Sequence, residues 1–267
     1  MWKPKSSLDG LRAILSFDNW PMLLLERLFD RRAGFVVYRK NGLEILVDHR
    51  GGDCNGTRAC IVTDMYPKYL TRLSLSGPNN VLDLGANGGG FPLLLRIMGI
   101  ELGRVVCVEM NPIVYQRLAI NLMTNLGPDA VALNAAVCGA KDSEIRLAPS
   151  RGDVGESMYD HQPDSEQRRL SVRTASVQML YDQYFAGELI DLCKMDIESA
   201  EYEALEACPD RVLAKIRNLL IEFHDLPRTP ALVARLQSQG FSEVGAEIDH
   251  YASPRSEVRA FRGPAQI

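Results

Sequence analysis

The chain has 267 residues, and its 30 lysines and arginines against 34 aspartates and glutamates give a formal charge of -4. That length suits one large domain or a domain with an appendage, and the composition is that of an ordinary globular protein. Mild acidity excludes an electrostatic case for non-specific nucleic-acid binding, short of a local basic patch.

Residues 1–78 read as an appendage. Leu8–Phe17 and Met22–Phe29 predict two short helices, the second opened by Pro21. The stretch from Leu11 to Leu25 is broken by Arg12, Asp18, Asn19 and Pro21, which argues against a signal peptide. Nowhere do about 18 apolar residues run together to cross a bilayer, so a cytoplasmic chain without membrane attachment is expected. Phe35–Tyr38 and Leu43–Val47 flank Arg39-Lys40-Asn41-Gly42, and Asn-Gly predicts a tight hairpin turn. A polar loop over Asp48–Gly56 leads to a predicted helix at Tyr66–Leu75 and the linker Gly77-Pro78-Asn79-Asn80.

From residue 81 the rhythm becomes strand, then helix. Val81–Leu84 predicts strand one and Phe91–Met98 its helix. Arg104–Glu109 is strand two, Ile113–Leu126 the next helix, and Ala130–Val137 strand three. Apolar runs without alternation suit parallel strands covered on both faces. Ser143–Leu147 and Leu170–Val177 add candidate strands around a polar insert, Pro149–Arg169. Leu189–Met195 is strand four, Glu198–Ala207 a helix, Leu220–Phe223 strand five and Pro230–Gln239 a helix. Phe241–Ile248 and Glu257–Phe261 predict a final antiparallel pair. The six cysteines show no metal-site spacing and are expected reduced, with a Cys54–Cys60 bridge as the alternative.

The chemistry-bearing residues fall where predicted strands end. Asp83 precedes a glycine-rich turn, Gly85-Ala86-Asn87-Gly88-Gly89-Gly90. Such a turn after a first strand builds a nucleotide-sized pocket. Asn87 stands where a dinucleotide site wants glycine, and Asp83 suits a ligand with a cationic amine. Glu109 closes strand two, where a carboxylate can accept both hydroxyls of a ribose. Met110 and Asn111-Pro112 follow it. Asn134 and Ala135, near the end of strand three, leave room for a flat base. Asp196, Glu198 and Glu201 crowd the end of strand four, and Glu222 and His224 end strand five. His224 is a candidate base by its ordinary titration range.

These pieces, taken in order, resemble the FkbM family of class I S-adenosylmethionine-dependent methyltransferases. The matching motifs are Asp83-Leu-Gly-Ala-Asn-Gly-Gly, Glu109-Met-Asn-Pro, Asn134-Ala-Ala-Val, Lys194-Met-Asp-Ile-Glu-Ser-Ala-Glu and Ile221-Glu-Phe-His224, over roughly 79–248. Ser199 departs from the family's usual glycine. The resemblance implies an α/β Rossmann-like fold, a mostly parallel seven-stranded sheet with helices on both faces. It divides the chain into an extension, 1–78, and a methyltransferase domain, 79–267. It implies S-adenosylmethionine held by Asp83, Gly85, Ala86, Asn87, Gly89, Glu109, Met110, Asn134, Ala135 and Asp196. His224, Asp196 and Glu222 are then the catalytic candidates, with His224 as base.

Glu198, with Tyr159 and His161 of the polar insert, is expected to meet the acceptor. That acceptor is expected to be a hydroxyl of a sugar, polyketide or other small secondary metabolite. A divalent cation among Asp196, Glu198 and Glu222 is a less favoured alternative, because nothing in the sequence fixes ligand geometry. Other readings are a catalytically silent nucleotide-binding protein and a nicotinamide-dependent oxidoreductase, the latter disfavoured by Asn87. No Asp/Asn-Pro-Pro-aromatic segment ends strand four, so a nucleic-acid partner is not expected. The N-terminal hairpin and Tyr66–Tyr69 are candidates for a pocket wall or a contact in a homodimer.

Overall fold

A computed structural model of the chain describes residues 7–29, 34–139, 143–147, 170–244 and 256–264. Two short helices open it, α1 (Ser7–Leu15) and α2 (Trp20–Phe29). β1 (Phe35–Lys40) and β2 (Leu43–Asp48) pair as an antiparallel hairpin. Asn41 and Gly42 in its turn both have positive φ, 51° and 79°, the twist that a two-residue hairpin turn needs. The polar loop contains a 3-10 turn at Gly52–Cys54 and runs into α3 (Thr57–Val62), a helix too short to announce itself in the sequence. α4 covers only Pro67–Leu70, shorter than the expected Tyr66–Leu75.

β3 (Asn79–Leu84), α5 (Gly90–Ile97), β4 (Leu102–Glu109), α6 (Pro112–Leu126) and β5 (Val131–Asn134) keep the expected alternation. The expected third strand breaks after Asn134. β6 (Ala136–Val137) leaves the main sheet and joins β7 (Glu144–Leu147) and β8 (Leu170–Ala175) in a small sheet of order β6-β8-β7. α7 (Val177–Tyr184), which the sequence reading does not anticipate, is capped by Ser176, whose side chain accepts from the Met179 amide. β9 (Leu192–Met195), α8 (Glu201–Glu206), α9 (Asp210–Leu213), β10 (Asn218–Phe223), α10 (Thr229–Ser238), β11 (Ser242–Glu243) and β12 (Glu257–Arg262) complete the described chain. α8 starts three residues later than the sequence suggests, because Glu198 and Ser199 take left-handed φ values of 52° and 80°. The six cysteines are all free.

The main sheet has the order β11-β12-β10-β9-β3-β4-β5. β12 runs antiparallel to both β10 and β11, while β10, β9, β3, β4 and β5 pair in parallel. This is the Rossmann-like α/β architecture the motifs imply. Successive side chains of a strand point to opposite faces. Leu82 and Leu84 of β3 therefore enter one core with Val106, Met195 and Phe223. Val81 enters the other with Phe91, Leu94 and Leu95 of α5. Each such fully buried side chain contributes about 1.5–3 kcal/mol of transfer free energy.

The N-terminal hairpin closes a third cluster. Phe17, Leu23, Tyr38 and Ile45 pack there with Ile61 of α3 and Leu93 of α5. Asn121 and Asn125 of α6 bond the backbone of Leu46 and Glu44, so two side-chain amides satisfy one edge of β2. Strand order reverses at β3, with β4 and β5 on one side and β9 and β10 on the other. Ligands in open α/β sheets bind in the crevice at the carboxyl ends beside such a reversal.

Candidate active site

β3 ends in Asp83 and Leu84, and the turn follows at once. Gly85, Asn87 and Gly89 all have positive φ, 76°, 48° and 87°. The amides of Gly85 and Ala86 both donate to the Val108 carbonyl at the tip of β4. The protein itself fills the space each glycine leaves. A Cβ at Gly85 would collide with the Asp196 carbonyl, one at Gly88 with Thr57 Oγ1, and one at Gly89 would press on Leu118. Asn87 is tolerated at a left-handed position because its side chain bonds locally: Oδ1 accepts from the Gly88 amide at 2.8 Å.

Glu109, nearly buried at the end of β4, braces this turn. Its Oε2 accepts from the Asn87 amide at 2.9 Å and its Oε1 from the Asn111 amide at 2.8 Å. Asn111 in turn caps α6 by accepting from the amides of Ile113 and Val114. Asn134 lies opposite Glu109 in the ladder, and its amide donates to the carbonyls of Glu109 and Met110, both at 2.9 Å. Ala135 donates its amide to the same Glu109 carbonyl, which is where β5 stops. Asn87, Glu109, Met110, Asn134 and Ala135 thus form one bonded group.

On the other side of the reversal, Asp83 and Lys194 are register partners in β3 and β9. Lys194 Nζ donates to the Gly85 carbonyl at 2.7 Å and lies 3.3 Å from Asp83 and 3.6 Å from Asp196. Burial pushes Asp83 up despite the ammonium beside it. Burial works to lower Lys194, but Asp83 and Asp196 more than offset it and its pKa is raised. Both Asp83 oxygens are buried, and apart from the Lys194 ammonium they meet no donor among the described residues.

The densest chemistry lies where β9 and β10 end. His224 Nδ1 is 2.8 Å from Glu201 Oε1, a fully buried carboxylate that also accepts from the amides of Ile197 and Ser199. That bond fixes the imidazole and turns Nε2 toward Glu198 at 3.4 Å, Glu222 at 3.7 Å and Asp196 at 3.8 Å. Burial opposes charging His224, but the Glu201 bond and the Asp196 and Glu198 charges prevail and hold its pKa at about 10. Glu198 and Glu222 are each pushed up to about 7, by burial and by Asp196, with His224 acting the other way. Glu222 also accepts from Ser256 Oγ at 2.8 Å. The Tyr66 phenol, stacked edge-on against Phe91, is raised by burial and by the charges of Asp196 and Glu222.

Asp196, Glu198 and His224 offer ligand atoms all within 4.8 Å of one another, a spacing that one cation could bridge. His224 makes its short bond with Glu201, while Glu222 and Asp196, the other catalytic candidates, stand farther off. The signal of Glu201 in the sequence is its place three residues beyond Glu198. Lys194, tied to three groups at once, is the other residue the sequence reading leaves out of its site, although the motif contains it. Tyr159 and His161 lie outside the described residues.

The fold and these strand tips define a Rossmann-like α/β protein whose strand order reverses between β3 and β9. The model of the methyltransferase FkbM domain matches residues 83–243, more than half of the chain, and the chain belongs to that family of methyltransferases. No curated protein matches the chain.

Among solved structures, the chain is similar to the methyltransferase FkbM from Methylobacillus flagellatus KT, with 19% identity and a TM-score of 0.48, over 69% of this chain and 43% of that one. It is also similar to Methanocaldococcus jannaschii Trm5 in complex with adenosine, with 11% identity and a TM-score of 0.45, over 87% of this chain and 56% of that one. A ribosomal protein L11 methylase from Lactobacillus delbrueckii subsp. bulgaricus gives 12% identity and 0.45, over 81% and 82%. The chain spans about half the length of the first two. Likenesses this distant say nothing about acceptor chemistry. Among the described residues no helix is long and apolar enough to cross a membrane.

Proposed function

We propose that the chain is an S-adenosylmethionine-dependent O-methyltransferase acting on a hydroxyl of a sugar, polyketide or other small secondary metabolite. Residues 79–267 form its catalytic domain in this reading, and 1–78 an extension. The residues present fit the cofactor. Asp83, buried at the strand reversal, meets the Lys194 ammonium and no other donor among the described residues, and Glu109 stands beside a turn of left-handed backbone. Asp83, Gly85, Asn87, Glu109 and Asn134 would hold it, with Ala86, Gly89, Met110, Ala135 and Asp196 around them. When bound, S-adenosylmethionine supplies a methyl group made electrophilic by its sulfonium.

The observation that carries the reading is the Glu201–His224 bond with Glu198, Glu222 and Asp196 around the free ring nitrogen. A hydroxyl acceptor must lose a proton as its oxygen becomes an ether. At neutral pH, His224 enters as an imidazolium, a state that orients and cannot accept. Glu222, raised to about 7, is at the ideal strength for a base working near neutrality. In this mechanism Glu222 takes the proton, His224 fixes Glu222 and Glu198 in place, and Glu198 holds the acceptor. Glu222→Gln is expected to lower turnover about 10²–10⁴-fold near pH 7 while leaving cofactor affinity unchanged. Unaltered turnover sinks the base assignment.

A second reading rests on the spacing of Asp196, Glu198 and His224. A divalent cation there would lower the acceptor's pKa by Lewis acidity. Turnover that vanishes on exhaustive chelation and returns with magnesium selects it, and turnover indifferent to chelation rejects it.

A further inference from the structure

We infer that Thr57, in the N-terminal extension, is a positioning residue for the cofactor turn. The inference rests on the cofactor reading above and adds a residue outside the family match. Thr57 is buried at the start of α3, and its Oγ1 donates to Asn87 Oδ1 at 2.9 Å. That oxygen also accepts from the Gly88 amide, and the Asn87 amide donates to Glu109. Thr57, Asn87 and Glu109 are therefore links of one hydrogen-bonded chain from the extension to the carboxylate at the tip of β4.

The backbones are fitted to each other for this contact. A Cβ on Gly56 would lie 2.7 Å from the Asn87 amide carbon, one on Gly88 would strike Thr57 Oγ1, and one on Gly90 would lie 2.9 Å from Thr57 Cα. A second tie runs parallel to the first. Asn121, fully buried in α6, donates to the Gly88 carbonyl at 2.7 Å and to the Leu46 carbonyl at 3.0 Å, and accepts from the Leu46 amide at 2.8 Å. The hairpin and the turn share one side chain.

Asn87 is the residue in the turn for which this matters most. Its φ of 48° is left-handed, which asparagine tolerates through its local bond to Gly88 but without glycine's freedom, so a further donor on Oδ1 helps to hold it. Removing the Thr57 hydroxyl takes away one of the two donors on Oδ1. The turn then samples other conformations, the Asn87 amide leaves Glu109, and the cofactor must restore the order when it binds. Apparent affinity falls by the fraction of chains in the competent state.

The test uses the full chain and S-adenosylmethionine as probe, with Thr57→Val, which keeps the shape, and Thr57→Ser, which keeps the hydroxyl. Calorimetry is expected to show a dissociation constant raised roughly tenfold in Thr57→Val and restored toward wild type in Thr57→Ser. Amide exchange at residues 86–90 of the ligand-free protein is expected to quicken in Thr57→Val alone. In an Asn87→Gly background, where the side-chain tie is already gone, Thr57→Val is expected to have no further effect on affinity. A Thr57→Val protein that binds and exchanges like wild type overturns the inference, as does an equal loss in the Asn87→Gly background. Should Thr57→Val not fold, Thr57→Ala takes its place, and exchange at 86–90 as slow as in wild type overturns the inference. Wild-type protein that ignores the probe sinks the cofactor reading, and the exchange arm still judges Thr57.

Discussion

His224 carries a proton across most of the accessible pH range, and that has a consequence for stability. Its folded pKa of about 10 stands above the ordinary imidazole value of 6.5. A raised folded value means the contribution is fully present below about 6.5 and is lost as pH rises through 10. Glu198 and Glu222, raised from 4.5 to about 7, act in the same sense between those values. The groups facing His224 are Asp196, Glu198, Glu201 and Glu222. The thermal midpoint of the ligand-free chain is expected to fall from about pH 5 to about pH 10, and His224→Gln should flatten the upper half of that fall. Equal slopes in the two proteins contradict it. Ser199 offers a second test at this scale. Its φ of 80° suits glycine, the residue the family usually has there, so Ser199→Gly is expected to raise unfolding free energy by up to about 1 kcal/mol in denaturant titration. A destabilised variant would mean the serine side chain contributes more than its backbone strain costs.

Among the elements, the join between the hairpin and α6 depends on a buried ion pair. Arg117 meets Asp53 through two bonds, 2.6 Å from Nε and 2.8 Å from Nη2, both side chains being almost fully buried. Asp53 also accepts from the Asp48 amide, so one carboxylate fixes the end of β2 and the approach to α3. Asp53→Asn leaves the guanidinium without its counter-charge and is expected to cost about 3–5 kcal/mol, read as a lower denaturant midpoint. The apolar double variant Asp53→Leu with Arg117→Met should lose much less, because the desolvation penalty disappears with the pair. Equal losses would show that the cost lies in packing.

Over the whole molecule, the parallel sheet was legible in the sequence because Val81–Leu84, Arg104–Glu109, Leu189–Met195 and Leu220–Phe223 are apolar runs closed by polar residues. Local pattern was enough there. It failed where distant contacts decide. β6 departs from β5 because Asn134 and Ala135 bond back to Glu109, a contact across 25 residues. α8 begins late because Glu201, from inside the helix, holds the Ile197 and Ser199 amides. The glycines of the first turn read as space for a ligand, whereas much of that space belongs to Thr57, Leu118 and Asp196. Strand ends advertise acids, but only the fold says which acid faces which nitrogen, and so Glu201 was missed beside His224.

The central claim is that the turn at 85–90 and Glu109 hold S-adenosylmethionine. Isothermal titration of that compound into the full chain tests it, with Glu109→Ala and NAD as comparisons. Saturable one-to-one binding, weakened at least about tenfold by Glu109→Ala and absent with NAD, is the predicted result. No heat with wild type, or a Glu109→Ala protein that binds as tightly, would contradict the account.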